Sequence, residues 1–174
     1  MKVLLAALLL SCLAFAQDQT AISAAEAACG PKTTKFEVTP DTTQHPTPTA
    51  DSGKALVYVV QDFGQYQCQG CVISKVGLDG EWAGANKGNS YIFFTVEPGE
   101  HHLCLNWQSR LELRSRAFAV ADLTAEVGRT YYFRARTFSG QRGIEVSFDL
   151  DPINGDQGKL LVAESAYSNW HVKK

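Results

Sequence analysis

After its first sixteen residues this chain has no apolar run long enough to cross a bilayer, which takes roughly 20 residues. It has no serine framed as G-x-S-x-G, the turn that displays a hydrolase nucleophile. Gly84 to Ser90, GANKGNS, is rich in glycine but lacks the Lys-Ser/Thr pair of a phosphate-cradling loop. Positive charge is not in excess either, because 16 Lys and Arg stand against 18 Asp and Glu, a net charge of −2. The basic residues are scattered, with Arg110, Arg114 and Arg116 the nearest approach to a cluster. A nucleic-acid-binding surface needs a basic stripe, and none is present. No internal repeat is evident. Nothing in the chain is a constellation that has to be catalytic, so the expectation is a non-enzymatic protein without a cofactor and without a nucleic-acid partner.

What is present begins with the leader MKVLLAALLLSCLAFAQ. Lys2 supplies a positive n-region, Val3 to Leu13 an apolar h-region, and Ala14-Phe15-Ala16 an A-x-A cleavage site before Gln17. Leu9-Leu10-Ser11-Cys12 offers an alternative, lipoprotein-type cut at Cys12, but that would leave an unusually short signal. The expectation is therefore a periplasmic or secreted protein, with residues 1–16 removed and no transmembrane span in the mature chain. Residues 17–174 suffice for one domain with its own core. Four of the five cysteines lie after the leader: Cys29, Cys68, Cys71 and Cys104. An even number in an exported chain points to disulfides, with three connectivities open. The favoured arrangement closes a local loop with Cys68–Cys71 and ties the N-terminal extension down with Cys29–Cys104.

Residues 17–53 read as an extension and linker. Gln17 to Ala28 is polar and alanine-rich and is expected to be mobile up to Cys29. Thr33 to Thr39 alternates Phe36 and Val38 with polar residues, as a short strand does. Pro40 to Gly53, with three prolines, reads as an extended linker holding an exposed His45. From Lys54 the pattern becomes that of a β domain, spanning 54–170. Ala55 to Val60, ALVYVV, suits a central strand buried on both faces. Asp79-Gly80 between Val72–Leu78 and Glu81–Ala83 is a hairpin signal, and Gly84 to Ser90 reads as a second loop. Pro98-Gly99 follows the strand Tyr91–Val96; a two-residue hairpin there would set Phe94 against Leu103, Ile92 against Leu105 and Phe93 against Cys104. Ala117 to Thr124 and Thr130 to Thr137 are further strands, and Ile144 to Leu150 alternates cleanly. From Asp156 the period changes. Leu160, Ala163, Tyr167 and Trp170 recur at helical spacing, which predicts a helix docked on the sheet by that stripe and followed by a fraying tail, His171 to Lys174. At least seven strands with turns between them specify a mainly β chain, an antiparallel β-sandwich of transthyretin-like or Ig-like type with a short C-terminal helix.

Gly53 to Val59 (G-K-A-x-V-Y-V), Val76 to Ala85 (V-G-x-D-G-x-W-x-G-A), Ser90-Tyr91, Pro98 to His101 and Ala125 to Phe133 (A-x-x-G-x-x-Y-Y-F) together resemble a bacterial cell-envelope family known as a domain of unknown function. The D-G and P-G-x-H rhythm is also similar to PEGA modules, which are transthyretin-like envelope sandwiches. The resemblance implies a fold and a location and carries no catalytic residue.

Three chemistries compete with a structural reading. Cys68-x-x-Cys71 with His101-x-x-Cys104, or His102, has the donors of a tetrahedral zinc site. In an oxidising compartment, however, thiolates pair with one another, and neighbouring His101 and His102 point to opposite faces of a strand. Cys68-x-x-Cys71 as a thiol–disulfide centre would need a helix start after it, whereas the β-branched Val72-Ile73 follows. Glu97 and Glu100 flank a turn and read as solvated. Among the aromatics, Tyr91, Trp107, Tyr131, Tyr132 and Trp170 are expected in the core. Trp82, close behind the Asp79-Gly80 turn, is expected near the surface and, with Asn86, Asn89 and His101, is the candidate contact site for a ligand, an envelope protein or a glycan.

Overall fold

The structure is a computed structural model that describes residues 23, 26–62, 73–108, 118–139 and 146–174. The leader, Cys68, Cys71 and the Arg110–Arg116 segment lie outside these residues. The chain order is β1 (Phe36–Asp41), β2 (Ala55–Asp62), β3 (Ile73–Leu78), β4 (Glu81–Lys87), β5 (Ser90–Val96), β6 (Gly99–Gln108), β7 (Phe118–Ala125), β8 (Thr130–Ser139), β9 (Val146–Ile153), α1 (Gly155–Glu164) and β10 (Ala166–Val172).

These strands form a β-sandwich, with a six-stranded sheet ordered β1-β10-β5-β2-β8-β9 facing a four-stranded sheet ordered β4-β3-β6-β7. The larger sheet is mixed, since β2–β8 and β10–β5 pair in parallel. Side chains alternate across each strand, so every second residue enters the interior. Val57 and Val59 of β2, Ile92 of β5 and Phe133 of β8 meet Val76 of β3 and Leu103 and Leu105 of β6 there. The other face of the larger sheet is apolar as well: Leu56, Tyr58, Val60 and Tyr91 form a second cluster beneath Leu161 and Val162 of α1. That double burial is why β2 reads as an unbroken apolar run.

The Asp79-Gly80 hairpin forms as expected. Leu78 pairs with Glu81, and both turn residues have positive φ, 50° and 92°, as a two-residue type I′ turn requires. Pro98-Gly99 makes no hairpin. β5 pairs with β2 and β10, whereas β6 pairs with β3 and β7, so Phe94 lies beside Val57 and Leu103 beside Leu78. Glu97-Pro98 is instead the corner at which the chain changes sheets. The inward rows of the two strands, Ile92 and Val96 against Leu103 and Leu105, bury one another across the core.

The expected loop Gly84–Ser90 is mostly strand, because β4 runs on to Lys87. The helix is shorter than its apolar spacing suggested. Asn154 caps it, its Oδ1 accepting the Gln157 N–H at 2.9 Å, and it ends at Glu164. Tyr167 and Trp170 belong to β10, which inserts between β5 and β1; Leu160 is 57% exposed, and Leu161 and Val162 make the packing face. His171 and Val172 are not a tail, for they pair with Glu37 and Phe36. The sandwich also reaches N-terminally of Lys54, because β1 comes from the extension and buries Phe36 and Val38.

Residues 26–35 cross the outer face of the smaller sheet as a strap. Cys29 is bonded to Cys104, Gly80 N–H donates to Ala28 O at 3.1 Å, and Trp82 Nε1–H donates to Pro31 O at 3.0 Å. Lys75 lies under the strap, its Nζ 4.2 Å from the centroid of the Trp82 rings and 3.4 Å from Thr34 O. Burial, and secondarily nearby Lys35, push its pKa down to about 8.

At one end the interior turns polar. Gln61, Ser74, Asn86 and Ser90 are fully buried. Ser74 stands opposite Asn86 on one side and Trp107 on the other, and Gln61 opposite Ser90. Asn86 Nδ2 donates to Val59 O at 3.0 Å, tying one sheet to the other, and Ser168 Oγ bonds Ser90 Oγ at 2.6 Å. Both amide atoms of Gln61 and Ser74 Oγ have no partner among the described residues.

Candidate functional site

The four residues expected to form a contact site do not share one surface. Trp82 is half-buried under the strap. Asn86 is fully buried between the sheets, and Asn89 is exposed with its carbonyl accepting from Ala166 N–H at 3.1 Å. His101 lies at the β5–β6 corner, bonded to Asp79 and to Glu97 O. Cys104 is in the disulfide, so it is not a free thiolate beside His101, and no group of three or more His, Cys, Asp or Glu among the described residues is placed to hold a metal ion. Cys68 and Cys71 lie outside the described residues, as does their expected pairing.

A cavity lies elsewhere, on the outer face of the larger sheet. Tyr58 of β2, Tyr91 of β5 and Tyr132 of β8 occupy outward positions on three strands and form the floor of a cavity of about 520 Å3. That volume falls in the range of small-ligand sites. The rings brace one another: Tyr58 stacks on Tyr132 at 5.1 Å and 12°, and Tyr91 and Phe93 both lean on Tyr167 at 5.7 Å. The walls come from two connections. His45, Pro46 and Thr47 of the linker stand on one side, and Lys159, Val162 and Ala163 of α1 on the other.

The helix reaches this position because Gly158 faces Tyr132. A Cβ at residue 158 would overlap the tyrosine ring, so only glycine allows α1 to lie this close. The linker is pinned from beyond the wall, where Thr95 Oγ1–H donates to Asp51 Oδ2 at 3.0 Å and Ala50 packs against the tyrosine cluster.

The floor is apolar in area and polar at a few atoms. Burial raises the pKa of all three tyrosines, and for Tyr58, with Tyr132 and Tyr91 beside it, to about 12. The hydroxyls therefore stay protonated at neutral pH and remain donors. Tyr91 is fully buried and its hydroxyl has no hydrogen-bond partner among the described residues. A buried hydroxyl without a partner is costly.

A family described as "Protein of unknown function (DUF2846)" matches residues 51–147. The chain belongs to this family. The DUF2846 stretch carries the whole floor of the cavity, Tyr58, Tyr91 and Tyr132, whereas His45 and the α1 wall lie outside it. A search of the curated proteins gave no match, nor did a search of the solved structures. Among the described residues no helix is long and apolar enough to cross a membrane.

Sequence reasoning named Tyr91 and Tyr132 but placed them in the core, and it passed over Tyr58. The available signal was aromatic residues at alternate positions of strands whose two faces are both apolar. Without the strand order, nothing in the sequence shows that three such positions come side by side.

Proposed function

We propose that this DUF2846 protein is an exported, non-enzymatic binding module of the cell envelope that holds a small ligand over its tyrosine floor. The observation that carries the reading is the cavity of about 520 Å3 floored by the rings of Tyr58, Tyr91 and Tyr132. Rigid aromatic rings supply contact area at low entropic cost, and a few fixed polar atoms supply orientation. Export is supported by the leader, with its Ala14-Phe15-Ala16 site, and by the Cys29–Cys104 disulfide, a bond that persists in oxidising compartments.

Native mass spectrometry of the chain recovered from its own envelope tests the reading. The expected result is an N-terminus at Gln17 and a bound small molecule that Ala163→Trp, which fills the cavity, displaces. Retention of the same molecule by Ala163→Trp would place its site elsewhere.

A further inference from the structure

We propose that the ligand of the tyrosine cavity is a compact organic anion: a flat or otherwise apolar body lying on the three rings, with an anionic group answering Lys159. This rests on the reading of the cavity as the binding site and adds the chemical class.

Among the described residues no Asp or Glu lines the cavity, whereas Lys159 and His45 stand on opposite walls. Lys159 is exposed at the rim and makes no ion pair among the described residues. Asp41 interacts electrostatically with His45 from outside the lining, and Asp51 lies beyond the same wall, bonded to Thr95. Lys159 therefore carries the charge argument.

An anionic oxygen accepts a charge-assisted hydrogen bond from an ammonium, whereas a cationic ligand would meet Lys159 with like charge. Around Lys159 the surface is tyrosine ring, Pro46, Val162 and Ala163, which favours an apolar body. A bicyclic aromatic acid and a medium-chain fatty acid share this chemistry.

Calorimetric titration of the full mature chain with 2-naphthoate, its neutral amide and decanoate tests the class. The expected result is that naphthoate binds at least tenfold more tightly than the amide and that Lys159→Gln abolishes this difference. Decanoate binding with the same Lys159 dependence supports the anion class and assigns a chain rather than a ring as the body. Equal affinity for acid and amide, with both blocked by Ala163→Trp, overturns the anion class and leaves the cavity reading standing. Binding that Ala163→Trp does not block, or no binding by any of the three, overturns the cavity reading itself.

Discussion

The carboxylate of Asp79 and the imidazole of His101 meet at 2.6 Å, Oδ2 to Nδ1, across the corner where the chain passes from one sheet to the other. The second ring nitrogen, Nε2, lies 2.7 Å from Glu97 O, and Asp79 Oδ1 accepts the His102 N–H at 2.8 Å. Both nitrogens of His101 thus face acceptors, and only the imidazolium satisfies both. Burial alone would lower the His101 pKa, but the bonds to Asp79 and Glu97 O outweigh it and the net shift is upward. Burial likewise works against the Asp79 carboxylate, yet the bonds from His101 and His102 take its pKa below the ordinary value.

The pair should give the fold a pH-dependent component with two edges. A raised histidine pKa contributes stability that is complete below the unfolded value of about 6.5 and is lost as pH rises through the folded one. A depressed aspartate pKa contributes stability present above about 3.9 and lost as pH falls through the folded value. Urea midpoints of wild type and His101→Gln should therefore differ most between about pH 4 and 6.5, and the gap should narrow on either side. A gap that is constant from pH 4 to 9 would show that His101 does not titrate with folding.

Gly80 should resist replacement. Its φ of 92° lies where side chains are strained, and Ala27 O is 3.2 Å from the position a Cβ would take. Gly80→Val should cost about 1–3 kcal/mol, the usual range for a residue held in such backbone, in urea unfolding. The control, Glu81→Gln at the next, exposed position, should shift stability by under about 0.5 kcal/mol.

The strap should matter through its covalent tie. Cys29 and Cys104 are separated by 75 positions, and closing a loop of that length stabilises by about 4 kcal/mol in the chain-entropy account. Replacing both by serine should lower stability by up to that amount. The variant should also make the bonds after Lys32 and Lys35 cleavable by trypsin under native conditions, and unchanged protection there would show that Trp82 and Lys75 hold the strap unaided.

Gly158 and Leu160 should part company. Gly158→Val drives a side chain into the ring of Tyr132 and should both destabilise the fold and remove ligand binding at the tyrosine cavity. Leu160→Asp, at a position 57% exposed, should leave the melting temperature within a degree or two of wild type. Unfolding by Leu160→Asp would restore the docking face that the helical spacing of Leu160, Ala163, Tyr167 and Trp170 implied.

The same four residues show where sequence legibility ends. Local chemistry was readable: the hairpin at Asp79-Gly80, the doubly buried β2, and the alternation of Phe36 and Val38 all appear in the structure. What failed was anything decided by distant partners. Pro98-Gly99 has the residues of a tight turn, yet whether it closes a hairpin or changes sheet depends on whether β2 or β6 offers β5 the better neighbour. Tyr167 and Trp170 fit a helical period, but an open strand position beside β5 and β1 claims them. The tyrosine floor is of this kind too, since Tyr58, Tyr91 and Tyr132 become neighbours only through the pairings of β2 with β5 and β8. Trp82 was expected near the surface, whereas it is half-buried as the clasp of the strap.

The edge strands of the larger sheet, β1 and β9, each contain a proline, Pro40 opposite Ser168 and Pro152 opposite Phe133. Neither residue can donate a backbone hydrogen bond to an approaching strand. A second copy approaching either edge therefore meets an interrupted row of backbone donors, which opposes growth of the sheet from molecule to molecule.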